Sequence, residues 1–217
     1  MVKPITTLLF DFDGTLLDTN ELIIRSYQHV LDKHYPGKYK RSDILPFLGP
    51  PLMEAFSKVD PQRVEEFTEE YRTWNKEMHD ELASEFDGVS KTMQLLKAAG
   101  LKMAIVSTKR KDMVLRGIEL LDVDGVFDVI IGIDDVTKAK PDPEPILLAL
   151  ERLGASADEA LMIGDNYHDI EGGKNAGVRT AGVAWSAKGE AFLQTFHPDF
   201  MLQHISDLLH IVKGEEI

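Results

Sequence analysis

Residues 5–10 make an apolar, strand-like run that stops at Asp11-Phe12-Asp13-Gly14-Thr15. Strands buried on both faces of a parallel sheet read as near-continuous apolar runs, so this one fits the interior of such a sheet. Two carboxylates spaced i, i+2 then stand at its carboxyl end, where open α/β sheets bind ligands. Gly14 permits the sharp exit that lifts the chain off the sheet. Taken alone, the stretch also reads as a plain turn, because Asp and Gly are ordinary turn residues.

No strand-like run occurs between residues 16 and 83. Asp18-Thr19-Asn20-Glu21 offers capping residues ahead of the amphipathic series Leu22, Ile23, Tyr27, Val30 and Leu31. A loop at Tyr35-Pro36-Gly37 follows, then a short helix from Ser42, halted at Leu48-Gly49-Pro50-Pro51. Another helix carries Leu52, Phe56 and Val59. Pro61 suits the first turn of a long polar helix reaching Leu82, with Val64, Phe67, Tyr71, Trp74 and Met78 three and four apart. The segment 16–83 is therefore expected to be an all-helical insert, leaving 1–15 plus 84–217 as the core domain.

After Asp87 the rhythm becomes alternating. Helices are expected over 88–99, 110–121, 143–153 and 168–176, and strands over 101–107, 127–131, 160–164 and 178–184. Repeated βα units imply an α/β fold, a Rossmann-like parallel sheet with right-handed crossovers and helices on both faces. Residues 189–212 read as a helix, a short strand at 199–202 and a final helix.

Three further signals fall at ends of these strands. Ser107 closes the second one, with Thr108 and Lys109 after it; Ser there is often only a helix cap. Lys140-Pro141 lies in a loop stiffened by Pro143 and Pro145, though a loop lysine is commonly just a solvated charge. Gly164-Asp165-Asn166-Tyr167-His168-Asp169 ends the fourth strand with two carboxylates at i, i+4, on one face of the next helix. Capping by Asp165 would explain the first of these and leave Asp169 unexplained. All of these residues are expected at one carboxyl edge.

Charge poses a problem for such a site. With 37 acidic against 24 basic residues the net charge is −13, which disfavours nucleic acid or an anionic membrane as partner. An acidic protein acting on an anion needs a cation. The chain has no cysteine, which removes disulfides, thiolate metal sites and cysteine nucleophiles. The N-terminal apolar run meets Asp11 too early for a signal peptide, and no stretch approaches the ~20 apolar residues of a membrane span. A cytoplasmic protein is expected.

Asp11-Phe12-Asp13-Gly14-Thr15, Ser107, Lys140-Pro141 and Gly164-Asp165 with Asp169 together resemble the four motifs of the haloacid dehalogenase (HAD) superfamily of phosphatases. The resemblance covers the whole chain, with 16–83 matching that family's small cap domain and a core sheet of order 3-2-1-4-5. It implies that Asp11 attacks phosphorus to form an aspartyl-phosphate. It makes Asp13 the proton donor to the departing oxygen and later the acceptor from water. Mg²⁺ would be held by Asp11, the Asp13 carbonyl and Asp165, with Asp169 an outer partner or further ligand. Lys140 would neutralise the nucleophile and the phosphoryl group. Ser107 and backbone N–H groups would bind phosphoryl oxygens, beside Gly14, Thr15, Thr108 and Lys109. Gly49-Pro50 resembles the specificity loop of related caps. Arg25, Arg72 and His79 are cap candidates for a second phosphate, the alternative for each being a solvated helix face. Trp74 and Trp185 are expected to pack. Within the superfamily the likeness is greatest to inorganic pyrophosphatases. Phosphoglycolate and other small phosphomonoesters or nucleotides remain alternative substrates, and a non-catalytic phospho-signalling module ranks below both.

Overall fold

The apolar run that opens the chain becomes β1 (Thr7–Phe10), all four of its side chains buried. The structure, a computed structural model, describes residues 3–215. After β1 come the two-residue strand β2 (Leu17–Asp18), α1 (Asn20–His34), α2 (Arg41–Ile44), α3 (Leu52–Val59), α4 (Val64–Leu82) and the two-residue strand β3 (Ser84–Glu85). The alternating part then runs α5 (Val89–Ala98), β4 (Lys102–Val106), α6 (Lys111–Ile118), β5 (Val129–Ile131), α7 (Glu144–Leu153), β6 (Ala160–Gly164), α8 (Tyr167–Asn175), β7 (Arg179–Val183), α9 (Glu190–Gln194), β8 (Phe200–Leu202) and α10 (Leu208–Ile211).

Six strands form one sheet in the order β5-β4-β1-β6-β7-β8, and every neighbouring pair is parallel. Counting only these strands, the expected 3-2-1-4-5 is extended by a sixth, β8, beside the fifth. Three residues carry too little periodicity for sequence to place that edge strand. Successive strands add on one side of β1 and then on the other, so the order reverses between β1 and β6. Ligand crevices of open α/β sheets lie there, beyond the strand ends.

Register explains the core. Leu9 pairs with Ala104 on one side and Met162 on the other, so these three side chains share a face. That face is buried with Val106 and Ile131 against Ile146, Ala149 and Leu150 of α7. Burying one such Leu or Ile contributes about 1.5–3 kcal/mol. Helix α8 packs on β6 and β7.

The described chain separates into two compact units, one up to Leu17 and from Glu85 onward, the other Asp18–Ser84. The second unit has its own aromatic core. Tyr27 of α1 is 2% exposed and meets the rings of Phe47, Phe56 and Tyr71 at 5.3, 5.2 and 4.8 Å. Phe67 joins through Phe56 at 5.6 Å.

Two local expectations need correction. Pro61 does not begin the long helix, which starts at Val64; the Asp60 carboxylate instead accepts from the Gln62 N–H at 3.0 Å, and this side-chain turn takes up the residues between. The segment read as wholly helical is bounded by β2 and β3, which pair with each other. No described helix is long and apolar enough to cross a membrane.

Candidate active site

The acidic pair after β1 is fixed by backbone geometry. The Asp11 N–H donates to the Ile163 carbonyl at 2.8 Å, continuing the pairing of β1 with β6 by one residue. The chain then curls: the N–H groups of Leu16 and Leu17 both donate to the Phe12 carbonyl, and that of Gly14 donates to Leu17. Gly14 has φ +78°, and a Cβ there would stand 2.5 Å from an Asp165 carboxylate oxygen. Only glycine accepts both the left-handed backbone and that approach.

Lys140 reaches across from the loop before α7. Its ammonium, 3% exposed, donates to Asp11 Oδ1 at 3.0 Å, Asp169 Oδ1 at 2.6 Å and the Val106 carbonyl at 2.6 Å. These three acceptors match the three donors of an ammonium. Burial alone would lower Lys140; the two carboxylates outweigh it and hold the group above its ordinary range. Asp11 moves the other way. Burial raises it to about 7, aided by the negative charges of Asp169 and Asp13 and opposed by Lys140. Asp165 is raised well above its ordinary value, by burial first and then by Asp11 and Asp169.

The helix after β6, expected from 168, begins at Tyr167. Asn166, not Asp165, is its N-cap, its side-chain oxygen accepting from the Tyr167 N–H. Asp169 closes a capping box by accepting the Asn166 N–H at 3.0 Å on Oδ2, while Oδ1 takes Lys140. Both tasks explain a carboxylate that capping by Asp165 could not. Asp165 stands before the helix, free of a capping duty.

Ser107 accepts the Lys109 N–H at 3.1 Å on its hydroxyl, shaping the turn after β4. Lys109 thereby brings its ammonium to Asp13 Oδ1 at 2.8 Å, with Thr108 between them in the chain. Thr15 is fully buried, and its hydroxyl has no hydrogen-bond partner. Asp11, Asp13, Gly14, Thr15, Ser107, Thr108, Lys109, Lys140, Asp165 and Asp169 all follow strand ends at one sheet edge.

The remaining candidates belong to the second unit. Gly49 adopts φ +98° in the turn before α3. Arg72 pairs with Glu69 at 2.9 Å on α4, its side chain 42% exposed, and Arg25 pairs with Glu21. His79 is fully buried against Asp80, so it presents no solvated face.

Sequence reading missed the loop after β7. The Trp185 indole N–H donates to the Thr15 carbonyl at 3.3 Å, a tether beyond its expected packing role. The Ser186 hydroxyl donates to the Asp165 carbonyl at 2.7 Å. Lys188 brings its ammonium to Asn166 Oδ1 at 3.3 Å. Position after a strand was the only available signal, because the partners are remote in the chain.

One acidic cluster at this edge suits a metal. Asp11, Asp165 and Asp169 are buried and offer oxygen atoms within 4.8 Å of one another. An all-oxygen donor set suits hard divalent cations, Mg²⁺ among them. Burial first, and then the negative charge of neighbouring carboxylates, raise Asp11 and Asp165, and a divalent cation would favour their charged forms. Both oxygens of Asp169 already carry protein donors, which suits bracing Lys140 more than a place on the metal.

Comparison with known proteins gives a consistent result. Residues 8–183 match the model of the haloacid dehalogenase-like hydrolase family. The chain belongs to that family. A protein from Bacillus velezensis, Pyrophosphatase PpaX, is 53% identical over 209 residues, spanning 96% of this chain and 97% of its own length. The protein of that name from Bacillus cereus is 53% identical over 208 residues, 96% of each. A solved structure from Bacteroides fragilis, described as belonging among haloacid dehalogenase-like hydrolases, superposes with TM-score 0.88 at 33% identity, covering 94% of this chain and 99% of that one. Family and relatives make this chain a phosphohydrolase. Which phosphate it cleaves is a separate question.

Proposed function

We propose that this enzyme hydrolyses inorganic pyrophosphate to phosphate, with Mg²⁺, through an aspartyl-phosphate on Asp11. The observation that carries the reading is the buried Asp11–Lys140–Asp169 triad beside Asp165, in a chain 53% identical over nearly its whole length to proteins named pyrophosphatase.

Asp11, Asp165 and the Asp13 carbonyl would hold Mg²⁺, which supplies charge neutralisation between carboxylates and phosphate. Lys140 keeps Asp11 oriented toward the phosphorus. A carboxylate oxygen of Asp11 bonds to phosphorus while the bridging P–O bond breaks, and the departing phosphate takes a proton from Asp13. Asp13 then accepts a proton from the water that hydrolyses the acyl-phosphate, regenerating Asp11. To do so Asp13 exchanges its contact with Lys109 for the leaving oxygen, and Lys109 turns to the phosphate. Ser107 and the N–H groups of the β1 turn cradle the phosphoryl oxygens, on which charge spreads during transfer. The unit 18–84 is the cap that sets specificity, with Gly49 and Arg72 its candidate contacts.

Kinetics on a panel of pyrophosphate, phosphoglycolate, nucleoside monophosphates and sugar phosphates with Mg²⁺ tests this reading. Pyrophosphate is expected to have the highest kcat/KM. A monoester ahead of it overturns the substrate and leaves the chemistry at Asp11 standing.

A further inference from the structure

We infer that Ser186, in the loop after β7, is a positioning residue that fixes Asp165 for a small divalent cation and sets how strongly the site favours Mg²⁺ relative to Ca²⁺; this rests on the metal role of Asp165 proposed above.

Asp165 lies between two regular elements and belongs to neither. The paired register of β6 ends one residue earlier, at Gly164 beside Gly182, and the cap of α8 is built from Asn166 and Asp169. On one side its carboxylate is confined by the β1 turn, standing 2.5 Å from where a Gly14 Cβ would be. Among the described residues, the side-chain hydrogen bond that Asp165 receives falls on its main-chain carbonyl, from the Ser186 hydroxyl at 2.7 Å. Ser186 therefore steers the carboxylate through the backbone.

Ser186 is itself held by rigid parts. The Ala184 N–H donates to the Leu202 carbonyl of β8 at 2.9 Å, and the Ser186 N–H donates to the Val183 carbonyl of β7 at 3.2 Å. The Gly189 N–H donates to the Ser186 carbonyl at 2.9 Å, closing the turn. The side chain is buried, and its hydroxyl accepts the Lys188 N–H at 3.2 Å. A hydroxyl has one proton to give, so donating it to Asp165 while accepting from Lys188 fixes its direction. One residue earlier, the Trp185 indole holds the Thr15 carbonyl of the β1 turn. The loop after β7 thus grips both stretches that supply the acidic cluster, the β1 turn after Asp11 and the β6 end at Asp165.

Cation size decides what that grip is for. Mg²⁺ demands near-ideal octahedral geometry, whereas the larger Ca²⁺ accepts more ligands in looser arrangements. Asp11 and Asp165 are buried, with oxygen atoms within 4.8 Å of one another. An Asp165 released from its tether lets the cluster widen, which weakens the smaller and stricter ion while sparing the larger one. A hydroxyl that merely propped the loop would affect stability and leave the balance between the two ions where it was.

The test measures Mg²⁺ and Ca²⁺ affinities by calorimetry for the unmodified enzyme, Ser186→Ala and Ser186→Thr, with thermal unfolding in chelator as the folding check. Ser186→Ala is expected to weaken Mg²⁺ binding about tenfold or more, the usual scale for losing a partner of a metal ligand, and Ca²⁺ binding about threefold or less. Ser186→Thr keeps the hydroxyl and should retain most of the Mg²⁺ affinity. If Ser186→Ala shows no cooperative unfolding, Ser186→Cys, a weaker donor, carries the same comparison. Equal losses for both ions, an unchanged Mg²⁺ affinity, or a lowered Tm with the ion preference intact would make Ser186 a prop for the loop and overturn the inference. An unmodified enzyme that binds neither ion would refute the metal role of Asp165 itself, whatever the variants do.

Discussion

Replacing Asp11 by Asn keeps the side chain's shape and removes its charge and nucleophilicity. Turnover should fall at least about a thousandfold, with Tm shifted by no more than about 4 °C; substantial residual hydrolysis would exclude the covalent route. Burial also predicts a pH effect. Metal-free Asp11 is raised to about 7, so below that pH it holds a proton that Mg²⁺ has to displace. Apparent Mg²⁺ affinity should climb with pH through about 7, with proton release detected by calorimetry in two buffers of different ionisation enthalpy. An affinity flat across that range would contradict the assignment. Gly14→Ala combines a left-handed backbone with a Cβ 2.5 Å from Asp165. It should cost about 1–2 kcal/mol in backbone strain alone and displace Asp165, so stability and activity fall together, as urea unfolding and initial rates would record.

At the level of elements, the indole N–H of Trp185 ties the turn after β1 to the loop after β7. Trp185→Phe keeps the ring's packing against Phe86 and deletes that bond. Unfolding in urea should show a loss of about 0.5–1.5 kcal/mol, and activity should drop severalfold as the Thr15 turn loosens. What sequence could and could not reveal follows the same line. Asp11 and Asp165 were legible because each ends a run whose periodicity names the strand, and Lys140 because Pro141, Pro143 and Pro145 mark a stiffened loop before a helix; strand ends and the loops that follow them share an edge. Trp185, Ser186 and Lys188 were not, because their hydrogen bonds join residues remote in the chain. A cap at the start of α8 was legible in type but not in residue, since Asp and Asn are nearly equal as caps and Asp165 adjoins Asn166. β8 was seen as a strand, yet its place at the sheet edge depends on tertiary pairing alone.

Over the whole molecule, two cores coexist in one chain: an aliphatic one under the parallel sheet and an aromatic one around Tyr27. Tyr27→Ala should remove about 3–5 kcal/mol, the range for emptying a large aromatic site. Hydrogen exchange should then rise across 18–84 while the strands of the sheet keep their protection; uniform loss everywhere would mean a single cooperative unit. The pairing of β2 with β3 has a further consequence. Adjacent strands run about 4.7–4.9 Å apart, so the excursion between them departs and returns at almost one spot. The sheet is therefore indifferent to how long that excursion is or what it contains, and closing a longer one adds little entropy cost. A lineage could exchange the whole helical module for another with neighbouring ends and acquire a new substrate while its phosphoryl-transfer machinery stayed untouched.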